Sequence, residues 1–425
     1  MNTLEIALTG VLIIAVLGLN FVAWGLVGLA RLVDERVGPH FRGARDSAST
    51  DSRVGVGELA VLMAAHNEEA VIVDSLRSLP RTMPLCHVYV ANDGSTDNTG
   101  RLTREFGVQV LDLFPNRGKA GALCMAIEHF ALLDRYKAVL FLDADTRLDS
   151  GYLDAALHWF DDPGIVAVAG YATPIWAPHH HSWMGRMLAA YRHRLYAITQ
   201  ILQKYGQTWR FANVTYIVPG FASIYRTDTL RQIDIDPPGL VIEDFNMTFE
   251  IHHRRLGRIA FSPAAIARCH EPTTYQDYVR QVGRWVLGFW QTIRRHGIWR
   301  GRFWAALGLW IIELVIASVG FLVLPFVVLI LGLPVLWDAP LDWPGFAAVH
   351  DVLSSWTTLA VIGLMLLPDL VITATLGIRK RRPIYVLLAF GFPLLRVTDA
   401  FIALTTIRKA WTETSTGAWR SPKRV

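Results

Sequence analysis

The chain has 425 residues, of which 52% are hydrophobic and 18% are charged, and its formal net charge is +5. Its mean hydropathy of +0.31 is high for a soluble protein, so we expect several membrane spans of about 20 residues beside one large globular domain. The positive charge does not predict nucleic-acid binding, because the basic residues collect beside the apolar segments, where the positive-inside rule places them. The three cysteines lack metal-ligand spacing and are typical of reduced cytosolic thiols: Cys86, Cys124 and Cys269.

An uncleaved transmembrane helix is predicted at residues 4–30. This apolar run has no charge after Glu5 and is too long for the core of a signal peptide. The segment that follows is rich in arginine, which places it in the cytosol by the positive-inside rule. We therefore expect a multi-pass protein of the cell membrane whose globular domain, at residues 57–280, is cytosolic.

Strand and helix patterns alternate over residues 58–145. Short apolar runs predict strands at 59–65, 88–91, 108–111 and 138–142, and amphipathic stretches predict helices at 68–79, 97–106 and 119–133. Such alternation is typical of an α/β domain with a mostly parallel sheet that is covered on both faces. Ligands bind such sheets at the carboxyl ends of the strands, which is where the polar clusters of this region fall.

Two aspartates, Asp143 and Asp145, follow the fourth predicted strand. Alternation along the extended chain sends both carboxylates to one side, with Ala144 between them. Two hard oxygen ligands at a strand end suit magnesium or manganese, and a nucleotide diphosphate would supply the remaining oxygens. Lys119 opens the helix before this strand and offers a cation and a helix N-terminus to phosphate. An ordinary helix cap with a solvated lysine is the alternative for Lys119.

Asp93 ends the second predicted strand, within the sequence Asn-Asp-Gly-Ser-Thr-Asp. One interpretation is a ligand-binding aspartate. The other is a strand-turn-helix junction, in which Gly94 allows the turn and Ser95 or Thr96 caps the helix.

Residues 173–215 are rich in aromatic and basic side chains and include three consecutive histidines at 179–181. Neighbouring residues of a helix or strand point apart, so the histidines do not predict a metal site. The composition favours an amphipathic surface that packs against the bilayer or the membrane spans.

The pair Glu243-Asp244 precedes a helical pattern at 245–256. A carboxylate in a dry pocket can act as a general base that takes the proton of a hydroxyl, so Asp244 is the candidate base. A pair of exposed carboxylates at a helix N-terminus, favoured by the helix dipole, is the alternative.

Gln281, Arg284 and Trp285 are three and four residues apart, so one helix face presents all three. On that face Arg284 offers a cation to an anionic group such as a diphosphate, and Trp285 offers an aromatic floor on which a ligand ring can stack. Residues 281–302 are expected to form this motif and an amphipathic helix at the membrane surface.

Three further spans are predicted in the apolar region 303–407, at 303–337, 353–378 and 384–407. The loop at 338–351 has three aspartates and no Lys or Arg, as expected outside the cell, whereas 379–382 is basic, as expected in the cytosol. The basic tail at 408–425 breaks this pattern, unless the last segment bends at Pro393 and re-enters the membrane.

Three charged residues fall inside these apolar runs: Asp369, Arg396 and Asp399. Charges at that depth are costly without a partner or water, so they should face the interior of the helix bundle. Arg396 and Asp399 are three residues apart, and they either form an ion pair on one helical face or line the path of a polymer.

The order of these motifs resembles that of the processive family 2 membrane glycosyltransferases, which include the cellulose, hyaluronan, chitin-oligosaccharide and poly-N-acetylglucosamine synthases. The motifs are Asp93, Asp143-x-Asp145, Glu243-Asp244 and Gln281-x-x-Arg284-Trp285, all ahead of apolar segments. The resemblance implies the GT-A nucleotide-sugar fold, a Rossmann-like α/β fold, for the cytosolic domain. It also implies that Asp93 contacts the uridine of the donor, that Asp143 and Asp145 hold the metal on the leaving diphosphate, and that Asp244 is the base.

Further residues would bind the acceptor if the resemblance holds. Gly220 lies in a Val-Pro-Gly-Phe-Ala-Ser segment that resembles the family's small-residue turn near the acceptor sugar, where the backbone must approach the ligand. Glu243 and Gln281 would join Trp285 on the acceptor side.

The sequence departs from the family pattern at three positions. Asn92 stands where many members have a second aspartate, and Ala65 stands where a proline is frequent. Ile242 replaces the polar first residue of the family's Thr-Glu-Asp triplet, so the carboxylate pair matches and the triplet does not.

The function implied by the resemblance is that of a membrane-embedded, metal-dependent, inverting glycosyltransferase. It would polymerise sugar from a UDP-sugar donor into an extracellular polysaccharide, with membrane lipid and accessory export or modification proteins as partners. The Phe-x-Val-Thr segment of cellulose synthases is absent from the sequence after the domain, which favours an N-acetylglucosamine-type polymer. One alternative is transfer of a single sugar to a lipid carrier. The other is a membrane transporter or binding protein with an inactive nucleotide-like domain, against which the intact carboxylates argue.

Overall fold

The structure is a computed structural model that describes residues 18–37, 53–80, 83–177, 179, 181–337, 339–354 and 356–413. Its strands are β1 Leu59–Ala65, β2 Val88–Asp93, β3 Gln109–Leu113, β4 Ala138–Leu142, β5 Thr146–Leu148, β6 Ile165–Pro174, β7 Ala222–Arg226 and β8 Arg258–Cys269. They form one eight-stranded sheet in the order β3-β2-β1-β4-β7-β6-β8-β5.

The first half of this sheet is parallel, as the sequence predicts. β1 pairs in parallel with β2 and β4, and β2 pairs in parallel with β3. The predicted bounds of β1 and β4 are confirmed, whereas β2 continues to Asp93 because its last two residues pair with Asp112 and Leu113 of β3. The second half is mixed, since β7 is antiparallel to β4 and β6 while β6 is parallel to β8.

Both faces of the sheet are buried. All seven residues of β1 are buried and alternate between two hydrophobic clusters, with Leu59, Val61 and Met63 in one and Ala60 and Leu62 in the other. Burial on both sides explains why this strand is a continuous apolar run and not an apolar-polar alternation.

Helices cover the sheet and form the C-terminal region. They are α1 Leu19–Val37, α2 Ile72–Arg77, α3 Thr99–Phe106, α4 Gly118–His129, α5 Leu132–Arg135, α6 Tyr152–Leu157, α7 Trp183–Ile198, α8 Tyr205–Gln207, α9 Thr227–Leu230, α10 Glu243–His253, α11 Tyr275–His296, α12 Arg302–Leu336, α13 Pro344–Leu353, α14 Trp356–Arg379, α15 Ile384–Ala389 and α16 Phe392–Thr412. The single helix predicted at 119–133 is two helices, because Ala131 adopts a left-handed conformation between them.

The aromatic and basic stretch predicted at 173–215 forms a long helical segment. α7 continues through a π-helical segment, Thr199–Lys204, into α8. α7 packs against α15 and α16 in a hydrophobic cluster that contains Met187, Leu188, Tyr191, Tyr385, Leu388 and Phe392. The stretch is therefore buried against helices of the apolar C-terminal region. His180 of the histidine triplet lies outside the described residues.

The apolar C-terminal region is helical. α12 covers the first predicted span, α14 the second, and α15 with α16 the third. This third segment is interrupted at Phe390-Gly391, whereas Pro393 lies in the first turn of α16, where its missing N–H is tolerated. By length and composition, α12 is the one helix within the described residues that could cross a membrane.

The acidic loop predicted at 338–351 contains a helix, α13. Two of the predictions extend beyond the described part of the chain. Residues 4–17 of the N-terminal span and residues 414–425 of the basic tail lie outside it, as does Asp338.

The described part of the N-terminal segment is a helix that docks on the domain. Arg31, predicted as a positive-inside charge, is buried, and its guanidinium donates to Tyr205 O and Thr208 Oγ1 at 2.8 Å each. At the other end of α1, Asn20 N donates to Glu313 Oε2 of α12 at 2.9 Å. α1 therefore contacts both the α/β domain and the apolar region, and Arg31 is one of its structural anchors.

Candidate active site

A cavity of about 1520 Å³ begins at the carboxyl ends of the central strands and extends to α12 and α16. It brings together nine of the ten predicted site residues, which come from five separate parts of the sequence: Lys119, Asp143, Asp145, Gly220, Glu243, Asp244, Gln281, Arg284 and Trp285. Asp93 is the exception, because it is fully buried beside the cavity wall formed by Arg117 and Gly118.

The strand-end aspartates lie as the sequence predicts. Asp143 and Asp145 are partly exposed and line the cavity, while Ala144 between them is buried in the core. The backbone N–H of Asp143 donates to Phe221 O at 2.9 Å, which ties this turn to the Val-Pro-Gly-Phe-Ala-Ser segment. Both carboxylates therefore face one space, as a shared ligand would need.

Lys119 forms a bridge between two carboxylates. Its Nζ is 2.8 Å from Asp143 Oδ1, 2.8 Å from Glu243 Oε1 and 3.3 Å from Gly220 O. Burial alone would lower the pKa of Lys119, but the charges of Asp143 and Glu243 raise it. Burial likewise favours the neutral form of Glu243, but the Lys119 charge outweighs it and lowers the pKa of Glu243. The solvated lysine of the alternative interpretation is wrong.

The residues present fit a divalent cation that is shared with a diphosphate. No group of three or more His, Cys, Asp or Glu side chains in the described ranges could hold a metal ion by itself. Asp143 and Asp145 supply two carboxylates, and Asp143 already holds one cationic group, the Lys119 ammonium. Two carboxylates plus substrate oxygens are the set by which magnesium is usually bound, so these two residues are where it would be held.

Asp93 is fully buried at the end of β2. Its Oδ1 accepts a hydrogen bond from the backbone N–H of Arg117 at 2.6 Å, and its Oδ2 is buried without a hydrogen-bond partner in the described part of the chain. Burial raises the pKa of Asp93, and the hydrogen bond from Arg117 opposes the rise. A buried carboxylate oxygen without a donor is costly, so this oxygen would gain from a donor if the wall formed by Arg117 and Gly118 moved aside.

Asn92 has a structural role that its position before Asp93 did not predict. Its side-chain amide donates to Asp112 Oδ1 of β3 at 2.7 Å. The amide therefore ties β2 to β3 at the strand ends.

The carboxylate pair Glu243-Asp244 lies in the first turn of α10, two residues before the predicted start of this helix at 245. Asp244 Oδ1 accepts from the backbone N–H of Phe245 at 2.7 Å, and its Oδ2 accepts from that of Gly220 at 3.3 Å. Burial, reinforced by the neighbouring Glu243 charge, raises the pKa of Asp244 to about 7. A carboxylate with this pKa can accept a proton at neutral pH. The alternative of two exposed carboxylates is wrong, because Glu243 is buried.

Gly220 permits the close approach of these charged groups. A Cβ at this position would lie 2.9 Å from Glu243 Oε1 and 2.9 Å from Lys119 Nζ. A larger residue would therefore make the ends of these two side chains shift and would disturb the bridge that Lys119 forms.

Gln281, Arg284 and Trp285 lie on one face of α11 and all line the cavity, as the spacing predicts. The helix begins at Tyr275, before the predicted boundary at 280, and ends at His296. Gly297–Gly301 then separates it from α12.

Arg192 of α7 is a residue of this site that sequence reasoning missed. It is 2% exposed, its guanidinium donates to Gln281 Oε1 at 2.9 Å, and it lies over the Trp285 ring at 4.5 Å. It also lies 4.9 Å from the Tyr278 ring centroid and pairs with Glu271 at 3.5 Å. Only the tertiary structure brings Arg192 to these partners, so no local spacing could have identified it.

The charged residues of the apolar helices are paired within the bundle. Asp369 forms ion pairs with Arg194 and Arg396, at 2.5 and 3.0 Å, so, of the two alternatives for Arg396 and Asp399, the ion pair between them is wrong. Asp399 instead accepts hydrogen bonds from the hydroxyls of Tyr191 and Tyr278, and it lines the cavity.

Aromatic side chains line the part of the cavity that reaches α12. The Tyr216 and Trp310 ring centroids are 4.8 Å apart, and those of Phe289 and Trp310 are 5.2 Å apart. The cavity therefore has a charged end at the strand termini and an aromatic end between α11, α12 and α16.

Comparison with known proteins identifies the domain. Residues 138–339 match the family model described as Glycosyl transferase family group 2. The poly-beta-1,6-N-acetyl-D-glucosamine synthase of Staphylococcus epidermidis is 26% identical over 253 residues, which cover 56% of this chain and 57% of the relative. The synthase of the same name from Staphylococcus aureus (strain COL) is 27% identical over 266 residues, 60% of each chain. The match thus spans less than two thirds of these curated relatives.

Among solved structures, the mannosyltransferase PcManGT from Pyrobaculum calidifontis, in complex with GDP-Man and Mn2+, is similar with a TM-score of 0.48 and 16% identity. The match covers 90% of this chain and 99% of that one. S. aureus TarS 1-349 in complex with UDP-GlcNAc is similar with a TM-score of 0.40 and 15% identity, over 84% and 92%. On the family match and the curated relatives, this chain carries a family 2 glycosyltransferase domain at residues 138–339, and its mixed α/β sheet is the one expected of the GT-A fold.

Proposed function

We propose that the chain is a membrane-embedded, inverting, processive glycosyltransferase that builds an N-acetylglucosamine-type polysaccharide from a UDP-sugar. The observation that carries this proposal is the continuity of the cavity. It joins the Asp143–Asp145 pair and Asp244 to Trp285, and it continues to Trp310 of α12 and Ala403 of α16. A polymer that grows at the strand ends would have a path toward the apolar helices.

The donor would bind at the charged end of the cavity. Asp143 and Asp145 would hold a magnesium or manganese ion, which supplies positive charge for the diphosphate as it leaves. Asp93 would accept a hydrogen bond from an N–H group of the uracil ring with its unpartnered oxygen. Arg284 reaches the same cavity from α11 and would bind the departing diphosphate.

The acceptor hydroxyl would be activated by Asp244. As the new bond forms between the acceptor oxygen and the anomeric carbon, the bond from that carbon to the diphosphate oxygen breaks. The hydroxyl proton moves to the Asp244 carboxylate, whose pKa of about 7 suits this transfer at neutral pH. A single displacement of this kind inverts the anomeric centre.

The names of the relatives support the proposed sugar, and the apolar helices support the proposed location in the membrane. The curated relatives are named as poly-beta-1,6-N-acetyl-D-glucosamine synthases, which favours UDP-N-acetylglucosamine as the donor. α12 exposes a series of large apolar side chains, as a lipid environment requires: Ile312, Ile316, Val319, Val323 and Phe326. We propose a multi-pass protein of the cell membrane with the α/β domain in the cytosol.

Transfer of a single sugar to a lipid carrier is the second candidate function. It is favoured by the aromatic, apolar end of the cavity at Tyr216 and Trp310, which would also suit a lipid-linked acceptor. The two functions differ in product length, since one gives a ladder of polymers and the other gives one glycolipid.

Incubation of the detergent-purified full chain with a panel of UDP-sugars tests the proposal. We expect manganese- or magnesium-dependent UDP release with UDP-N-acetylglucosamine and a ladder of product sizes. One product with a single added sugar would favour the lipid-carrier function. UDP release from none of the donors would contradict both candidates, and Asp145→Asn serves as the inactive control.

A further inference from the structure

A second group of polar side chains lines the cavity on the wall formed by α7, the π-helical segment and α8. Gln203 and Lys204 are adjacent in this segment, and both line the cavity although they are only 1% and 7% exposed. π-helical turns are rare and occur frequently at functional sites. Neither residue has a role in the donor site or in the base described above.

Both residues carry N–H groups that are not fully used. Gln203 Nε2 is buried without a hydrogen-bond partner within 3.5 Å among the described residues, and the group it faces at longer range is the Tyr216 hydroxyl. Lys204 Nζ lies 5.9 Å from the Phe261 ring centroid, and it forms no ion pair with a carboxylate of the described residues. Burial lowers the pKa of Lys204 to about 7, and the Asp244 charge opposes this. Buried donors of this kind are costly unless a ligand supplies oxygen atoms.

A third polar residue of the same wall has no donor without an acceptor. Gln200 also lines the cavity and is buried, but its amide is fully engaged with the backbone. Its Oε1 accepts from Ala172 N at 2.7 Å, and its Nε2 donates to Ala172 O at 2.9 Å. Gln200 therefore has no donor left for a ligand, in contrast to Gln203 and Lys204.

The position of Lys204 assigns this group to the acceptor side of the cavity. Lys204 lines the same cavity as Asp244, the proposed base, and the Asp244 charge acts on it, whereas Lys119 at the donor end is held by Asp143 and Glu243. The base must lie next to the acceptor hydroxyl, because it takes the proton of that group.

We propose that Gln203 and Lys204 form an acceptor subsite that recognises the acylamino carbonyl of a sugar in the growing chain. This inference rests on the proposed function, and it adds that the enzyme recognises the acceptor by its acylamino carbonyl. The amide and ammonium groups both donate to a carbonyl oxygen. A free amino sugar would offer no such oxygen, and its ammonium would be repelled by the Lys204 charge. Tyr216 and Trp310 line the same cavity and would supply faces on which sugar rings stack.

Acceptor kinetics with two sets of oligosaccharides test this subsite. N-acetylglucosamine oligomers of two to five residues, and the de-N-acetylated oligomers of the same length, are offered to the detergent-purified full chain with UDP-N-acetylglucosamine. Gln203→Leu and Lys204→Met keep the side-chain volume and remove the donors. Each should raise the acceptor KM for the acetylated oligomers roughly tenfold, with the donor KM unchanged, as loss of one buried hydrogen bond implies.

The matched control is Ile201→Ala, which alters an exposed residue of the same π-helical segment and should leave both KM values unchanged. The wild-type chain should prefer the acetylated oligomers, and both variants should lose most of that preference. Wild-type acceptor KM values in both variants, or no wild-type preference, would overturn the subsite. If Lys204→Met fails to bind UDP, the acceptor KM of Gln203→Leu alone tests the subsite. If the wild type transfers to no oligomer, the proposed function fails and the subsite falls with it.

Discussion

Replacement of Arg192 tests how the Gln281 and Trp285 side chains are held. The Arg192 guanidinium donates to Gln281, lies over the Trp285 ring at 4.5 Å, and pairs with buried Glu271 at 3.5 Å. Arg192→Met keeps an apolar stem of similar length and removes all three interactions. Arg192→Lys keeps the charge but removes the planar group that stacks on the ring.

The two substitutions should differ in magnitude. Breaking a buried ion pair from one side costs about 3–5 kcal/mol, because the remaining charge loses its partner, and we expect this loss of unfolding free energy in Arg192→Met. Arg192→Lys should cost about 1–2 kcal/mol, the scale of a desolvated cation–π contact. Adding Glu271→Gln to Arg192→Met should recover part of the loss, since the remaining charge is then removed as well.

Chemical denaturation of the detergent-purified chain measures these differences, and acceptor kinetics measure their functional consequence. Arg192→Lys should raise the acceptor KM, because Trp285 and Gln281 lose the group that orients them, while UDP affinity stays near that of the wild type. Arg186→Met is the matched control on α7, since the Arg186 guanidinium lies over the exposed Trp183 ring, at 5.6 Å from its centroid. Equal changes in stability and acceptor KM for Arg192→Met and Arg186→Met would refute the positioning role.

Four further predictions concern the site and the topology. Asp244→Asn should abolish transfer with donor binding nearly intact. Wild-type transfer should fall as the pH drops below about 7, because protonation removes the base. A transfer rate that is flat between about pH 5 and 8 would contradict this role. Asp145→Asn should lose metal-dependent binding of the UDP-sugar, as titration calorimetry with and without manganese would measure. Trp285→Ala should shorten the product with less effect on UDP affinity than Arg284→Ala, since aromatic stacking contributes about 1–3 kcal/mol; unchanged product length would exclude the acceptor floor. A cysteine placed in the 338–351 loop should react with an impermeant label on intact cells, and its protection would overturn the predicted topology.

Local pattern determined the first half of the sheet and the local geometry of the motifs. The apolar runs of β1 and β4 were predicted with their observed bounds, because burial on both faces of a sheet leaves a continuous hydrophobic stretch. The alternation of a strand placed Asp143 and Asp145 on one side, and the helical period placed Gln281 and Trp285 on one face. Each of these features depends on residues within one turn or a few residues of each other.

Tertiary structure decided which of these local features meet. The bridge from Lys119 to Asp143 and Glu243 joins residues that are distant in the sequence, and no periodicity encodes such a contact. Periodicity likewise does not encode the contact of the Arg192 guanidinium with the Trp285 ring. Local spacing suggested an ion pair between Arg396 and Asp399, yet the packing of α14 against α16 gave Arg396 a different partner, Asp369.

The physical reason is that local sequence specifies the face of an element, whereas the partner of that face depends on how all the elements pack. A periodic pattern states which side of a helix or strand is removed from water, because burial of apolar surface is the dominant local requirement. A buried charge such as Arg192 must be paired wherever the fold places it, and its partner can come from any element that shares the interior. The sequence by itself therefore determined the elements and the chemical groups of this site, and the packed fold determined their pairing.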